Sequence, residues 1–393
     1  MKKNSKIYVA GHRGLVGSAI WKSLQKKGYR NLVGRTHAQL DLLDGLAVKN
    51  FFEEEKPEYV FLAAAFVGGI MANSLFRADF IYKNLQIQQN IIGEAYRTKV
   101  KKLLFLGSTC IYPKDAHQPM KEDALLTAPL EFTNEPYALA KIAGLKMCES
   151  FNMQYGTNYI AVMPTNLYGP NDNFHLENGH VLPAMIRKIY LSKCLMEANW
   201  VALIHDLKLR PIASLDLMTV QESKEAVTAD VQQKIRKALA LFGIDDSQLK
   251  LWGSGKPLRE FLWSEEMADA CVFVMENVQF SDLNGLSDEL QGLTTSQMIE
   301  QGVQIPDVRN CHINVGTGKE ITIADLAECV KKTVGYKGTI LWDSSKPDGT
   351  MRKLIDVSKL NKLGWHHKIE IEEGVRKLYD WYLYALDENK LER

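Results

Sequence analysis

The sequence has no CxxC pair. Its six cysteines, Cys110, Cys148, Cys194, Cys271, Cys311 and Cys329, are scattered over 393 residues. That argues against a disulfide framework or a zinc knuckle and fits a reducing, cytoplasmic compartment. An excess of one charge is also missing. Lys and Arg number 48 against 47 Asp and Glu, a formal net charge of +1. No global basic field exists to recruit nucleic acid or an anionic membrane. No apolar run approaches the roughly 20 residues that span a bilayer. His366 and His367 have no partner at metal-ligand spacing, so no metal is expected and the pair reads as surface. The opening MKKNSKIYVAG carries Lys2, Lys3 and Lys6, but its apolar run is short and meets a glycine. It reads as a first strand, not a signal peptide.

What is present is the ordinary globular mix, 46% hydrophobic and 24% charged. The length suggests one large or two unequal domains. Short apolar runs at 7–10, 32–33, 59–63, 102–107 and 159–163 read as buried strands. Helical spacing fills 15–28, 44–55, 76–97 and 137–155 between them. Strands alternating with helices predict an α/β fold, a Rossmann-type doubly wound parallel sheet. The rhythm changes after Pro164. Residues 1–164 are expected to form the first domain, with later segments able to return to it. Residues 165–393 are expected to be mainly a smaller α/β substrate domain with insertions at about 190–250 and 278–308. The first insertion holds an amphipathic helix (Val231, Ile235, Leu239, Phe242) that stops near Gly243. The second reads as a loop. His312 to Gly335 resumes the strand–helix pattern.

Gly11-His12-Arg13-Gly14-Leu15-Val16-Gly17 follows a strand and opens a helix. Gly11 permits a tight turn, Gly14 lets a pyrophosphate approach, and Gly17 permits close helix–strand packing. The helix N-terminus offers unpaired N–H groups and a positive dipole end. The spacing is G-x-x-G-x-x-G, and its context predicts dinucleotide binding. The second strand ends in Gly34-Arg35-Thr36-His37 without the acid that binds an NAD ribose. Arg35, with Arg13, favours the 2′-phosphate of NADP. Asp41 and Leu42 are placed near the adenine.

Tyr137 and Lys141 lie four apart, on one helix face. An ammonium there is expected to stabilise a tyrosinate and lower the phenol pKa. Such a tyrosine donates a proton to a carbonyl oxygen during reduction. Ser108 follows the fourth strand at the carboxyl edge of the sheet, where ligands of open α/β sheets sit. Its hydroxyl can bond the same carbonyl.

These features resemble the extended short-chain dehydrogenase/reductases. Longer blocks narrow the likeness: Leu62 to Ile70, Ser108-Thr109-Cys110-Ile111-Tyr112-Pro113, Asn134 to Ala138, Pro164-Thr165-Asn166-Leu167-Tyr168-Gly169-Pro170, and Lys346 to Thr350. Together they are similar to the GDP-L-fucose synthase family. The resemblance implies NADPH-dependent 3,5-epimerisation and 4-reduction of GDP-4-keto-6-deoxy-D-mannose. It implies Ser108, Tyr137 and Lys141 for reduction, and Cys110 with His180 as the proton carriers of epimerisation. It adds Leu106, Gly107, Thr109, Pro164, Thr165, Asn166, Leu167 and His180 to the NADP contacts. It places Lys188, Trp252, Arg259 and Asp348 at the GDP-sugar, and suggests a homodimer through helices 76–97 and 137–155. A 4-epimerase or dehydratase with retained NAD is the alternative. Dehydratases of this kind generally carry an acid where Cys110 stands. A non-catalytic NADP-binding sensor is disfavoured by the intact Ser108, Tyr137 and Lys141.

Overall fold

The computed structural model describes residues 1–213, 215–223, 227–346 and 348–389. Pro347, in the Lys346–Thr350 block, lies outside them, as do 214 and 224–226 within the first expected insertion. The chain divides into two compact units. The first comprises 1–167, 260–319 and 354–368; the second comprises 168–259, 320–353 and the chain from 369 onward.

The first unit is built on six parallel strands. Five are β1 (Ile7–Ala10), β2 (Leu32–Val33), β3 (Tyr59–Leu62), β4 (Lys102–Leu106) and β5 (Tyr159–Pro164); the sixth is Ile313–Val315. Their order is Ile313–Val315, β5, β4, β3, β1, β2. The chain leaves β1 for β2 on one side and returns to β3 on the other. This reversal makes the crevice above β1 and β3 a topological switch point, the usual ligand position in such sheets. The crossovers are α1 (Leu15–Lys26), α2 (Gly45–Glu55), the short α3 (Ile70–Leu75) with α4 (Arg77–Arg97), and α5 (Glu135–Tyr155).

Alternate residues of each strand feed two cores, as a pleat requires. Tyr8, Val60, Leu103 and Ala161 pack with Val48, Phe52, Ile91 and Leu145 from α2, α4 and α5. Ile7, Val9, Phe61, Leu104 and Val162 pack with Ile20 and Leu24 of α1. Met267, Cys271 and Val274, from the helix Ser264–Asn277, complete that second core. This is why 260–319 folds with the first unit although it follows the second in the chain. Both faces are covered, so the strands read as continuous apolar runs.

The segment 278–308 is not entirely loop. It holds a helix, Thr295–Glu300, whose start is a reciprocal Thr294–Gln297 cap. That Thr-x-x-Gln spacing is a helix signal; the surrounding Gly and Ser content obscured it. In the second unit, the predicted amphipathic helix is Ala229–Ala240, capped by the Thr228 hydroxyl. A further helix, Trp200–Leu209, was not expected. Its buried stripe includes a charge, Asp206, which breaks the apolar period. Asp206 Oδ1 accepts from Arg187 Nε at 2.8 Å, and Oδ2 accepts from the Tyr382 hydroxyl at 2.5 Å and from Arg210 at 3.3 Å. Asp206, Arg187 and Tyr382 are fully buried.

Candidate active site

The glycine loop is shaped by its own backbone. Gly11 sits at φ +80°, and a Cβ there would lie 2.9 Å from Ala64 Cα. Gly14 N–H donates to Gly11 O at 3.0 Å and closes the turn. A Cβ on Gly17 would come within 2.0 Å of the same Gly11 oxygen. Gly17 therefore lets α1 lie close against the chain leaving the end of β1. Gly14 caps α1 with no side-chain bond, so the N–H groups of Leu15, Val16 and Gly17 open the helix without intrahelical partners. This cradle fits a dinucleotide pyrophosphate. Arg13 is exposed beside it. His12 occupies the space that a Gly34 side chain would take, its Cγ 2.6 Å from that Cβ.

Arg35 stands at the end of β2 but is already engaged. Nη1 donates to Gly34 O at 3.1 Å and Nη2 to Glu55 at 2.5 Å. A guanidinium has five N–H donors, so donors remain for a phosphate. Asp41 Oδ1 accepts from Leu43 N, and Leu42 O accepts from Asn90. These bonds staple a turn.

The chemical groups gather where β4 ends. Gly107 lies so near β5 that a Cβ would meet Met163 sulfur at 2.2 Å. Ser108 Oγ accepts from Cys110 N at 3.3 Å and caps a single 3-10 turn, Thr109–Ile111. Thr109 and Cys110 are buried in that turn. From α5, Lys141 Nζ donates to Leu106 O at 2.8 Å and lies 5.7 Å from the centre of the Tyr137 ring. Burial lowers the Lys141 pKa to about 8, opposed by the Cys110 charge. Burial pushes the Tyr137 phenol up, and Cys110 adds to the rise. Burial sets the direction at Tyr137, the reverse of the lowering expected from Lys141. Cys110 lies near enough for a thiolate there to influence both Tyr137 and Lys141, which puts Ser108, Cys110, Tyr137 and Lys141 in one neighbourhood.

Two supports went unnoticed in the sequence. Glu260 is fully buried, and its carboxylate accepts from Thr317 N at 2.6 Å, Gly318 N at 2.8 Å and Ile355 N at 3.2 Å. Its backbone oxygen accepts from Thr165 Oγ1 and Asn166 Nδ2, which sets the strand after Pro164; Leu167 packs against the core. The Tyr112 hydroxyl, two residues past Cys110, donates to Asn314 Oδ1 at 2.5 Å and lies 3.0 Å from His312 Nε2. Both supports join residues far apart in sequence, and no local spacing announces them.

The second unit carries the remaining candidates. His180 precedes the helix Val181–Met196, and its Nδ1 lies 2.8 Å from Asp172 Oδ1. The Asp172 hydrogen bond raises the His180 pKa against the effect of burial. Lys188, on the same helix, is no solvated surface lysine: burial lowers its pKa to about 8. Its Nζ lies 5.9 Å from the Trp252 ring, and Lys346 lies 5.5 Å from that ring. Trp252 is 62% exposed, so it is not core. Asp348 accepts from Ser254 N at 2.6 Å and Ser254 Oγ at 2.8 Å. It braces the Gly253–Ser254 turn, a role the sequence did not suggest. Asp348 also supports the charge of Arg259, whose pKa burial lowers.

A model of the NAD dependent epimerase/dehydratase family matches residues 7–209 and 219–285. The chain belongs to that family. It is 47% identical over 381 residues to GDP-L-fucose synthase 1 of Arabidopsis thaliana, covering 97% of this chain and 94% of the relative. It is 46% identical over 382 residues to GDP-L-fucose synthase of Escherichia coli strain K12, covering 97% and 98%. Among solved structures, it is similar to a GDP-mannoheptose C4 reductase from Campylobacter jejuni with NADP bound. There the TM-score is 0.80 and the identity 40%, over 98% of this chain and 99% of that one.

Proposed function

We propose that the chain converts GDP-4-keto-6-deoxy-D-mannose to GDP-L-fucose, as an NADPH-dependent 3,5-epimerase and 4-reductase. The likeness to GDP-L-fucose synthases at 46–47% identity supports the substrate. The observation that carries the reading is Cys110. A plain reductase needs Ser108, Tyr137 and Lys141, whereas here a buried thiol follows two residues after Ser108, its backbone N–H bonded to Ser108 Oγ. A thiol suits proton exchange near neutral pH.

NADPH, seated on the glycine loop, supplies the hydride for the 4-ketone. The protein's own groups handle the protons. Tyr137, its phenol kept protonated by burial, donates to the ketone oxygen, and Ser108 Oγ adds a hydrogen bond there. The same two donors hold the enolate oxygen when a proton leaves C3 or C5. Inversion needs a proton carrier on each face of the sugar; Cys110 is one and His180 the other. Lys141 stays fixed by the Leu106 carbonyl. Arg259 and Lys188 carry partly desolvated positive charge suited to the diphosphate. Trp252 offers an exposed indole to the nucleotide or sugar, and Asp348 an acceptor. The first unit is thus the NADP-binding domain and the second the GDP-sugar domain. We further place the enzyme in the cytoplasm as a homodimer. Exposed Tyr82, Tyr96, Leu139 and Tyr155, on α4 and α5, offer apolar surface suited to pairing through those helices. Among the described residues no helix is long and apolar enough to cross a membrane.

The test is incubation with GDP-4-keto-6-deoxy-D-mannose and NADPH in deuterated water. GDP-L-fucose labelled at C3 and C5 is expected. The similarity to a GDP-mannoheptose C4 reductase motivates a second reading, reduction alone. Reduced product without ring deuterium would favour it.

A further inference from the structure

The loop between Tyr168 and the helix Val181–Met196 is built around one carboxylate. Asn171 turns the chain at φ +66°, and Asp172 N–H donates to Gly169 O at 3.2 Å. Asp172 is 2% exposed. Its Oδ1 accepts from Asn173 N at 2.8 Å and meets His180 Nδ1 at 2.8 Å. Its Oδ2 is buried without a hydrogen bond. The loop returns on itself to deliver the histidine. Gly179 N–H donates to His175 O, and a Cβ on Gly179 would come within 2.4 Å of that oxygen. Asn173 Oδ1 accepts from His175 N, and its amide donates to Asn178 O. His175 and Glu177, the other titratable groups of the loop, bond each other through Glu177 N–H and His175 Nδ1 at 3.3 Å.

Burying a carboxylate with one oxygen unpaired is unfavourable unless a charged or strongly polar partner offsets it. A helix start gives no reason to bury it there: His180 caps its helix without a side-chain bond, and Asp172 lies eight residues earlier in the loop. The imidazole is the partner. A carboxylate only accepts, so the ring nitrogen facing it must carry a proton in either charge state of the histidine. That leaves Nε2, on a side chain that is half-exposed, as the nitrogen that gains and loses one.

We propose that Asp172 is a positioning residue: it holds His180 in the Nδ1–H tautomer and directs Nε2 to the substrate proton. This rests on the assignment of His180 as a proton carrier. Asp172 also supports the protonated ring, consistent with the raised His180 pKa.

The experiment compares the parent enzyme with Asp172→Asn and Asp172→Glu. Nitrogen NMR of histidine-labelled protein, with His180→Gln to assign the signal, reads the tautomer without substrate. Deuterium entry at C3 and C5 of GDP-4-keto-6-deoxy-D-mannose reads the chemistry, and an NADPH titration reads the fold of the cofactor half. Asn keeps the size and can still accept from Asn173 N–H, but its amide can donate to Nδ1 and reverse the tautomer. The parent should show Nδ1–H, and Asp172→Asn should show Nε2–H with deuterium entry slower by roughly 10²-fold or more. Glu keeps the charge and should retain Nδ1–H. NADPH affinity should not move. Nδ1–H and parental deuterium entry in Asp172→Asn would overturn the proposal. Should that variant not fold, Nε2–H in Asp172→Glu or in the parent would overturn it as well. A parent that exchanges no deuterium would instead sink the epimerase assignment, while the tautomer measurement would still decide Asp172.

Discussion

Lys141 keeps a buried ammonium four residues from Tyr137, and its Nζ bonds the Leu106 carbonyl. Burial raises the Tyr137 pKa and keeps the phenol protonated. Tyr137→Phe keeps the ring and removes the proton, so NADPH oxidation should fall by about 10²–10⁴-fold. NADPH binding, followed by fluorescence titration, should stay near the parental value. A second residue has a pH signature. Burial lowers the His312 pKa to about 3, against about 6.5 in an unfolded chain. Between those values the unfolded chain binds a proton that the native one does not, so stability rises with pH across that window. Acidification should remove up to about 1.4 kcal/mol per pH unit from this group. His312→Gln can still hydrogen-bond Tyr112 and cannot titrate, so urea unfolding across the window should show a flatter dependence. Neither the direction at Tyr137 nor that at His312 was legible in the sequence, because both depend on what distant residues bury.

At the scale of elements, the strands and helices of the cofactor half were readable, and for a plain reason. Each is a short apolar run or a helical stripe bounded by Gly, Pro or Asp. The glycine loop forms the expected turn between β1 and α1, and its glycines carry unequal steric loads. A Cβ on Gly14 meets only Gly11 O, at 3.5 Å, an ordinary contact, whereas one on Gly17 falls 2.0 Å from the same atom. Gly17→Ala should therefore lower the melting temperature and weaken NADPH binding, while Gly14→Ala leaves the melting temperature close to the parental value. Thermal melts of the two variants check this. The helix Trp200–Leu209 escaped notice because its buried stripe includes Asp206, a charge that hydropathy assigns to the surface.

For the whole molecule, that same charge organises the second unit. Asp206→Ala leaves the fully buried Arg187 without its carboxylate partner. The loss should approach the 3–5 kcal/mol typical of a broken buried pair, measured by urea unfolding. Arg35 keeps donors available beside Glu55, and NADPH should exceed NADH in kcat/KM. Arg35→Ala should narrow that preference by roughly tenfold or more, the worth of one charged hydrogen bond. Steady-state kinetics with both cofactors decide it.

The sequence by itself determined the strand–helix rhythm, the glycine turn between β1 and α1, and the shared helix face of Tyr137 and Lys141, because each is written in local periodicity or short spacing. Only the tertiary structure decided how the chain divides, since residues 260–319 rejoin the first unit through a helix that packs beside α1 on the sheet. It alone revealed the buried carboxylates of Asp172, Asp206 and Glu260. A carboxylate looks the same in a sequence whether water or a protein interior surrounds it. Its partners are chosen by the folded chain, which supplies the hydrogen bonds that desolvation demands.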